Sequence, residues 1–295
     1  MRPRTAAASA LATLVVAALV VANAASGTDG ANTGTALPRF DRVVVVVFEN
    51  KEFEQVVGNA DAPTFASLAR RYARLTNYRG VAHPSLPNYL ALVSGSTQGV
   101  TSDCTSCRVS AINLADTLER AGKSWKTYAE GLPRAGFTGD WAGRYARKHN
   151  PFLYFTDVAS SPVRLGRIVP LGTFDRDLAA GRLPDFSLVV PDLCHDMHDC
   201  SIATGDAWLG TFLRPLLRSS ALGNGAVFVV FDEGTSSQGG GGHVPALVLG
   251  PRVRPESQTS TLLDHYGLLR TIESAWHLPL LGRSGSARPI TGIWR

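Results

Sequence analysis

Residues 43–48 read VVVVVF, an unbroken run of apolar, mostly β-branched positions with no polar residue to mark an outer face. Such a run predicts a strand buried on both faces, and therefore a parallel sheet with helices packed on each side. Shorter runs of the same kind occupy 186–190, 226–231 and 246–249. Between and around them, apolar positions recur at helical spacing over 63–74, 87–93, 111–121, 206–218 and 262–276. The alternation predicts the α/β class, a central and mostly parallel sheet flanked by helices. The stretch 131–172 breaks this rhythm. It is rich in Gly, Pro, aromatic residues and Arg, holds no clean period, and reads as a loop-rich insertion bordering a site.

The start of the chain belongs to a different pattern. Arg2 and Arg4 precede an uncharged apolar run over 6–22, and Ala22-Asn23-Ala24 supplies the small-x-small pattern of a cleavage site. Residues 1–24 read as an export signal, a retained membrane anchor being the rival reading of a run this long. Residues 25–38 read as a flexible linker and 39–295 as one catalytic domain. Removing Arg2 and Arg4 takes the basic count from 29 to 27 against 24 acidic residues, a mature charge near +3. With no tract of Lys or Arg interleaved with aromatics, that balance argues against a nucleic-acid partner and allows at most peripheral contact with an anionic lipid surface. No protein partner is implied.

Four cysteines in an exported chain predict two disulfides. Pairing Cys104 with Cys107 and Cys194 with Cys200 closes the shortest loops, although other connectivities are open. A zinc site on the single C-x-x-C unit is the weaker alternative, because no second pair completes it.

In open α/β sheets, ligands bind beyond the carboxyl ends of the strands. The first run delivers Glu49-Asn50, the 186–190 run delivers Asp192, His195, Asp196, His198 and Asp199, and the 226–231 run delivers Asp232-Glu233. Any one of these alone is as readily a cap or a turn residue. Their recurrence at three strand ends points instead to carboxylates gathered at one edge, where a bound cation would relieve their repulsion. Ligation by Glu49, Asn50, Asp232 and Glu233 suits one hard divalent ion, magnesium, calcium or manganese, whereas added histidines would tilt it toward zinc or iron. His243 follows the glycines 239–242, and that run reads either as a loop delivering His243 to the metal or phosphate or as plain loop; it is not a Walker loop.

Ser85 lies in His83-Pro84-Ser85-Leu86-Pro87-Asn88-Tyr89, just before a helical pattern. At a helix entrance it is placed to meet a phosphate, and equally placed to be an N-cap. A G-x-S-x-G elbow, which would have indicated a serine esterase, is absent around it. Arg144, Arg147 and Lys148 read as phosphate-attracting charges or as a solvated basic face, His265 as a cap or a site residue, and His277 as structural.

These same segments carry a resemblance. Glu49-Asn50 after a strand, the His83 to Tyr89 stretch running into Leu92-Val93-Ser94-Gly95, residues 145–152, Asp196-Met197-His198-Asp199 and Asp232-Glu233-Gly234 resemble the bacterial phosphoesterase family. That family holds phospholipases C and secreted acid phosphatases of the alkaline-phosphatase-like superfamily, and the likeness runs from about residue 40 to the C-terminus. It implies an alkaline-phosphatase-like fold, a metal on Glu49, Asn50, Asp232 and Glu233, Ser85 as nucleophile, and His149 and His198 beside the phosphate. The short chain is more similar to the acid phosphatases, including phosphoinositide phosphatases acting on substrates such as phosphatidylinositol 3-phosphate, than to the longer phospholipases C. A secreted phosphomonoesterase with a phosphoserine intermediate is thus the leading expectation. A phospholipase C-type phosphodiesterase is second, and a non-catalytic binding protein third. Asp192 and His195 are candidates for a second metal site, but a single ion is the simpler expectation.

Overall fold

The valine run is the spine of the molecule. Val43–Phe48 lies between Phe186–Val190 and Ala226–Phe231, parallel to both, and every one of its residues is buried. Burying each of these side chains is worth about 1.5–3 kcal/mol, enough for the run to fix the centre of the sheet. The structure, a computed structural model, describes residues 37–295 together with Met1 and Pro3. The predicted export signal and nearly all of the linker therefore lie outside the described residues.

The sheet has eight strands, in the order Ser257–Thr259, Ala73–Leu75, Ala246–Leu249, Ala226–Phe231, Val43–Phe48, Phe186–Val190, Trp125–Ala129, Ile168–Pro170. Pairing is parallel except around Ala246–Leu249, which runs antiparallel to both neighbours. Helices Pro63–Arg71, Ser85–Ser94, Leu114–Arg120, Ile202–Arg218 and His265–Trp276 accompany it, so the expected α/β class is the observed one. The four strands that the apolar runs predict are all present with the predicted bounds.

The differences lie where the hydrophobic signal is short. The helix expected over 63–74 ends at Arg71, because Ala73 and Leu75 alternate inward around half-buried Arg74 and join the sheet. Trp125–Ala129 escapes a hydrophobic reading through Lys126, whose Nζ lies 2.5 Å from Asp177 Oδ2 and is neutralised there. The 131–172 stretch is only partly an insertion. It holds a hairpin, Trp141–Ala142 with Tyr145–Ala146, and a series of short helical turns, but it ends in Ile168–Pro170, the edge strand of the main sheet.

Both short-loop disulfides are formed, Cys104–Cys107 and Cys194–Cys200. The C-x-x-C unit is thus a cross-link and not a zinc site.

Candidate active site

Register brings the carboxylates together. Phe48 pairs with Phe231, so the chain leaves two adjacent strands at the same level, and Asp232 N–H donates to Phe48 O at 2.9 Å. Glu49 N–H in turn donates to the main-chain oxygen of Asp196 at 2.9 Å. Glu49, Asp196, Asp232 and Glu233 are all buried around this edge.

Ser85 opens the Ser85–Ser94 helix, whose N-cap is Pro84 and has no side-chain capping bond. The helix therefore starts two residues before the predicted 87–93 segment, and Ser85 is not an N-cap. Its hydroxyl turns to the acids, donating to Glu49 Oε1 and lying 3.3 Å from Glu233 Oε1. Lys148 Nζ approaches from another side, 3.3 Å from Ser85 Oγ and 3.2 Å from Glu49 Oε1. His149 lies parallel to the Tyr89 ring with centroids 5.0 Å apart, its Nε2 2.6 Å from Glu49 Oε2 and its Nδ1 3.4 Å from Asp196 Oδ2.

The charges are unevenly relieved. Burial opposes ionisation of Glu49, but His149 and Lys148 outweigh it and hold the carboxyl well below the usual carboxylate range. Burial, then the Glu49 charge, pushes Asp196 up to about 9. Burial also pushes Glu233 up to about 7 against the opposing pull of His83, and holds Asp232 far above its ordinary value with Glu49 and Glu233 adding to the effect. Glu49 Oε2, Asp196 Oδ2, Asp232 Oδ2 and Glu233 Oε2 are buried and have no aligned hydrogen-bond donor. The 2.6 Å approaches of His149 Nε2 to Glu49 and of His83 Nδ1 to Glu233 are close but out of line.

Orphaned carboxylate oxygens in a buried cluster are what a hard divalent cation would satisfy. Two sets of potential ligand atoms meet within 4.8 Å, Glu49–His149–Asp196 and Glu49–Asp232–Glu233, and Glu49 belongs to both. The residues present fit a metal.

The remaining predicted residues adjoin these carboxylates or take partners elsewhere. Asn50 follows Glu49 in the left-handed region, φ 53°, and its side chain makes no hydrogen bond among the described residues. His243 is not brought to the carboxylates. Its Nδ1 faces Glu54, its Nε2 faces Thr76 O, and its ring stacks on Phe53 with centroids 4.5 Å apart. The glycine run before it is a packed loop held by Glu52, whose carboxylate accepts the N–H groups of Thr235, Ser236 and His243. Gly234 lets the Glu52 carboxylate come close, since a Cβ there would stand 2.3 Å from Glu52 Oε1 and the side chain would have to shift. His198 is exposed, with Nδ1 2.6 Å from Asp199 and its N–H donating to Asp196 Oδ1 at 2.7 Å. Asp192 and His195 group with Glu130, but their contacts are satisfied internally and no buried oxygen is left over.

Four contacts were not assigned from sequence. Asp196 is visible as a strand-end acid, though not as a member of the ligand set. Lys148 is visible only as one of three basic residues; Arg144 is exposed, and buried Arg147 braces its own loop through Thr138 O and Leu153 O. His83 gives no sign of its pairing with Glu233, and Asp103, which accepts Leu86 N–H at 2.9 Å, gives none at all. Behind the site, buried His265 donates from Nε2 to Asp232 O at 2.6 Å while Tyr78 OH meets Nδ1 at 3.0 Å. Burial lowers its pKa and keeps it neutral, the state this arrangement needs. His265→Leu leaves two buried groups unpaired, so urea denaturation should show a loss of about 1–3 kcal/mol; an unchanged midpoint would show that the bracket does not hold Asp232.

A serine set at a helix entrance among carboxylates, beyond the carboxyl ends of a mostly parallel sheet, is an arrangement suited to phosphate-ester hydrolysis. Solved structures of the same fold include a member of the alkaline phosphatase superfamily from Vibrio parahaemolyticus (TM-score 0.61, 14% identity, 87% of this chain and 72% of that one). The phosphonate monoester hydrolase of Agrobacterium radiobacter is another (TM-score 0.56, 14% identity, 86% and 79%). The chain belongs to the Phosphoesterase family, whose profile matches residues 59–279, and is a hydrolase acting on phosphate esters. It is 39% identical over 261 residues to a phosphatidylinositol-3-phosphatase of Mycobacterium tuberculosis, covering 88% of this chain and 85% of that protein. Fungal relatives include a probable acid phosphatase of Kluyveromyces lactis (33% identity, 83% of this chain) and an acid phosphatase of Aspergillus fumigatus (32%, 83%). This chain spans 60% and 56% of those two proteins.

Proposed function

We propose that the chain is an exported, metal-dependent phosphomonoesterase that works through a phosphoserine at Ser85, with phosphoinositides such as phosphatidylinositol 3-phosphate among its substrates. The observation that carries this reading is the position of Ser85 Oγ, shared between Glu49, Glu233 and Lys148 beside carboxylate oxygens with no donor. Glu49, Asn50, Asp232 and Glu233 would hold one divalent ion, with Asp196 and His149 alongside in place of His243. When bound, such an ion supplies positive charge for the phosphate and lowers the pKa of the serine hydroxyl.

The chain's own groups then divide the work. Ser85 Oγ bonds to phosphorus as the ester P–O bond breaks, and its proton passes to Glu233, whose Oε1 lies 3.3 Å away and whose carboxyl is raised to about 7, while Glu49, held well below the usual range, stays ionised. The leaving alkoxide takes a proton from His198, whose Nε2 makes no hydrogen bond among the described residues and whose ring is exposed, while His149 keeps Glu49 and Asp196 in position. Water then cleaves the phosphoserine, releasing inorganic phosphate and restoring the hydroxyl. Preference for monoesters draws on the relatives named phosphatases. Export draws on the two disulfides and the sequence pattern of residues 1–24; among the described residues no helix is long and apolar enough to cross a membrane.

Phosphate release from an aryl phosphate and a short-chain phosphatidylinositol 3-phosphate, set against cleavage of a phosphocholine diester, tests the reading. The monoesters should turn over faster and a chelator should abolish the reaction. Preference for the diester would favour the phospholipase C-type alternative, and no activity in metal-replete protein would favour a binding role.

A further inference from the structure

We propose that Lys148 is a catalytic residue that holds the phosphoryl oxygens against Ser85, and that Asp103 is the residue that positions it. The inference rests on Ser85 being the nucleophile.

Lys148 is the cation that touches the reacting atom. Its Nζ has three donors and three partners: Ser85 Oγ at 3.3 Å, Glu49 Oε1 at 3.2 Å and Asp103 Oδ2 at 3.2 Å. The side chain is 11% exposed, so this contact is made largely out of water, where electrostatic interactions are stronger. Lys51, the other lysine near these acids, spends its ammonium on Met197 O at 2.7 Å.

A phosphate monoester carries about −1.5 to −2 charges at neutral pH. It must enter a site already lined by four carboxylates, and one divalent ion leaves the ensemble strongly negative. A compact ammonium with rotatable donors suits non-bridging phosphoryl oxygens. When Ser85 Oγ becomes an ester oxygen it is a poorer acceptor, and the Lys148 donor aimed at it is released to an oxygen on the adjoining phosphorus. Lys148 keeps its protons throughout. The Oγ–P bond forms as the ester P–O bond breaks, and the hydroxyl proton goes to Glu233 as before.

Asp103 ties the lysine to the nucleophile's helix. Oδ1 accepts the N–H of Leu86, the residue after Ser85, and Oδ2 pairs with Lys148. It stands beside the Cys104–Cys107 cross-link, which restrains the loop that carries it.

The test uses Lys148→Met, Lys148→Arg, Asp103→Asn and the Lys148→Met/Asp103→Asn double variant in the metal-replete mature protein. The readouts are steady-state kinetics, inhibition by orthovanadate, metal content, thermal melting and phosphate trapped on Ser85 by acid quench. Lys148→Met should lower kcat/KM by about 10²-fold or more, as loss of one charge-stabilising donor does. It should weaken vanadate inhibition in step, with metal content unchanged, and Lys148→Arg should recover part of both. Asp103→Asn should cost about tenfold alone and nothing further in the double variant. Lys148→Met with kcat/KM and vanadate affinity within twofold of wild type would overturn the proposal. So would loss of activity that tracks loss of metal or of folded protein in Lys148→Met and Lys148→Arg alike. If the wild type traps phosphate on Ser85 and Lys148→Met does so at the same rate, only the role of Lys148 fails. If the wild type traps none, the reading of Ser85 fails, and with it this one.

Discussion

Turnover of Ser85→Ala is expected to fall by roughly three orders of magnitude or more, with little change in melting temperature. The two halves of this result have separate causes. The hydroxyl is the only atom removed, and it alone lies among Glu49, Glu233 and Lys148. The helix loses nothing by its removal, since Pro84 occupies the N-cap position and Ser85 makes no capping bond. Were Ser85 a cap, the same change would cost about 1 kcal/mol and spare the chemistry. Kinetics and calorimetry on one variant distinguish the two.

Asp232→Asn is expected to weaken metal binding by more than about a hundredfold, because it removes the charge of a strand-end ligand that nothing else replaces. Its effect on stability should change sign with the metal. Metal-free, the variant should melt higher than metal-free wild type, since one buried, poorly solvated carboxyl is gone and Asn can still accept the Glu233 N–H at 2.6 Å. Metal-replete wild type should melt above both. The pH dependence of the metal-free wild type follows from the same charges. Glu233 and Asp196 are raised from their ordinary values near 4 to about 7 and about 9, so the folded state binds the more protons between those limits. Their contribution is complete below about pH 4 and is lost as pH rises through 7 and then 9, so melting temperature should fall across that window. Metal should flatten the slope; a metal-free protein that grows more stable from pH 5 to 8 would contradict the assignment of these acids. Plasma mass spectrometry and differential scanning calorimetry supply both measurements.

Much of this site is legible from strand ends alone. Val43–Phe48 and Ala226–Phe231 are long enough to be unmistakable, and in a parallel sheet whatever follows each strand must arrive at the same edge, which places Glu49, Asp232 and Glu233 together. What stays hidden depends on contacts remote in sequence. Asp103 reaches Lys148 across 45 residues, and nothing in the local sequence of either announces the other. His243 is the opposite case. A histidine after four glycines suggests delivery to a metal, but Gly240 and Gly241 are there because the loop lies on the backbone of Val81 and Ala82, where a Cβ would stand 2.5 Å and 2.6 Å from their carbonyl oxygens, and both ring nitrogens of His243 are taken by other partners. Short strands such as Ala73–Leu75 and Ile168–Pro170 are set by pairing with the sheet and not by their own pattern.

The central claim is that phosphate passes through Ser85. The most direct measurement is acid quench of the metal-replete enzyme during turnover of a labelled phosphate monoester, followed by peptide mapping. Label should appear on the peptide containing Ser85, be absent from Ser85→Ala, and disappear when the quench follows substrate exhaustion. An active Ser85→Ala enzyme, or label confined to a histidine peptide, would contradict the account.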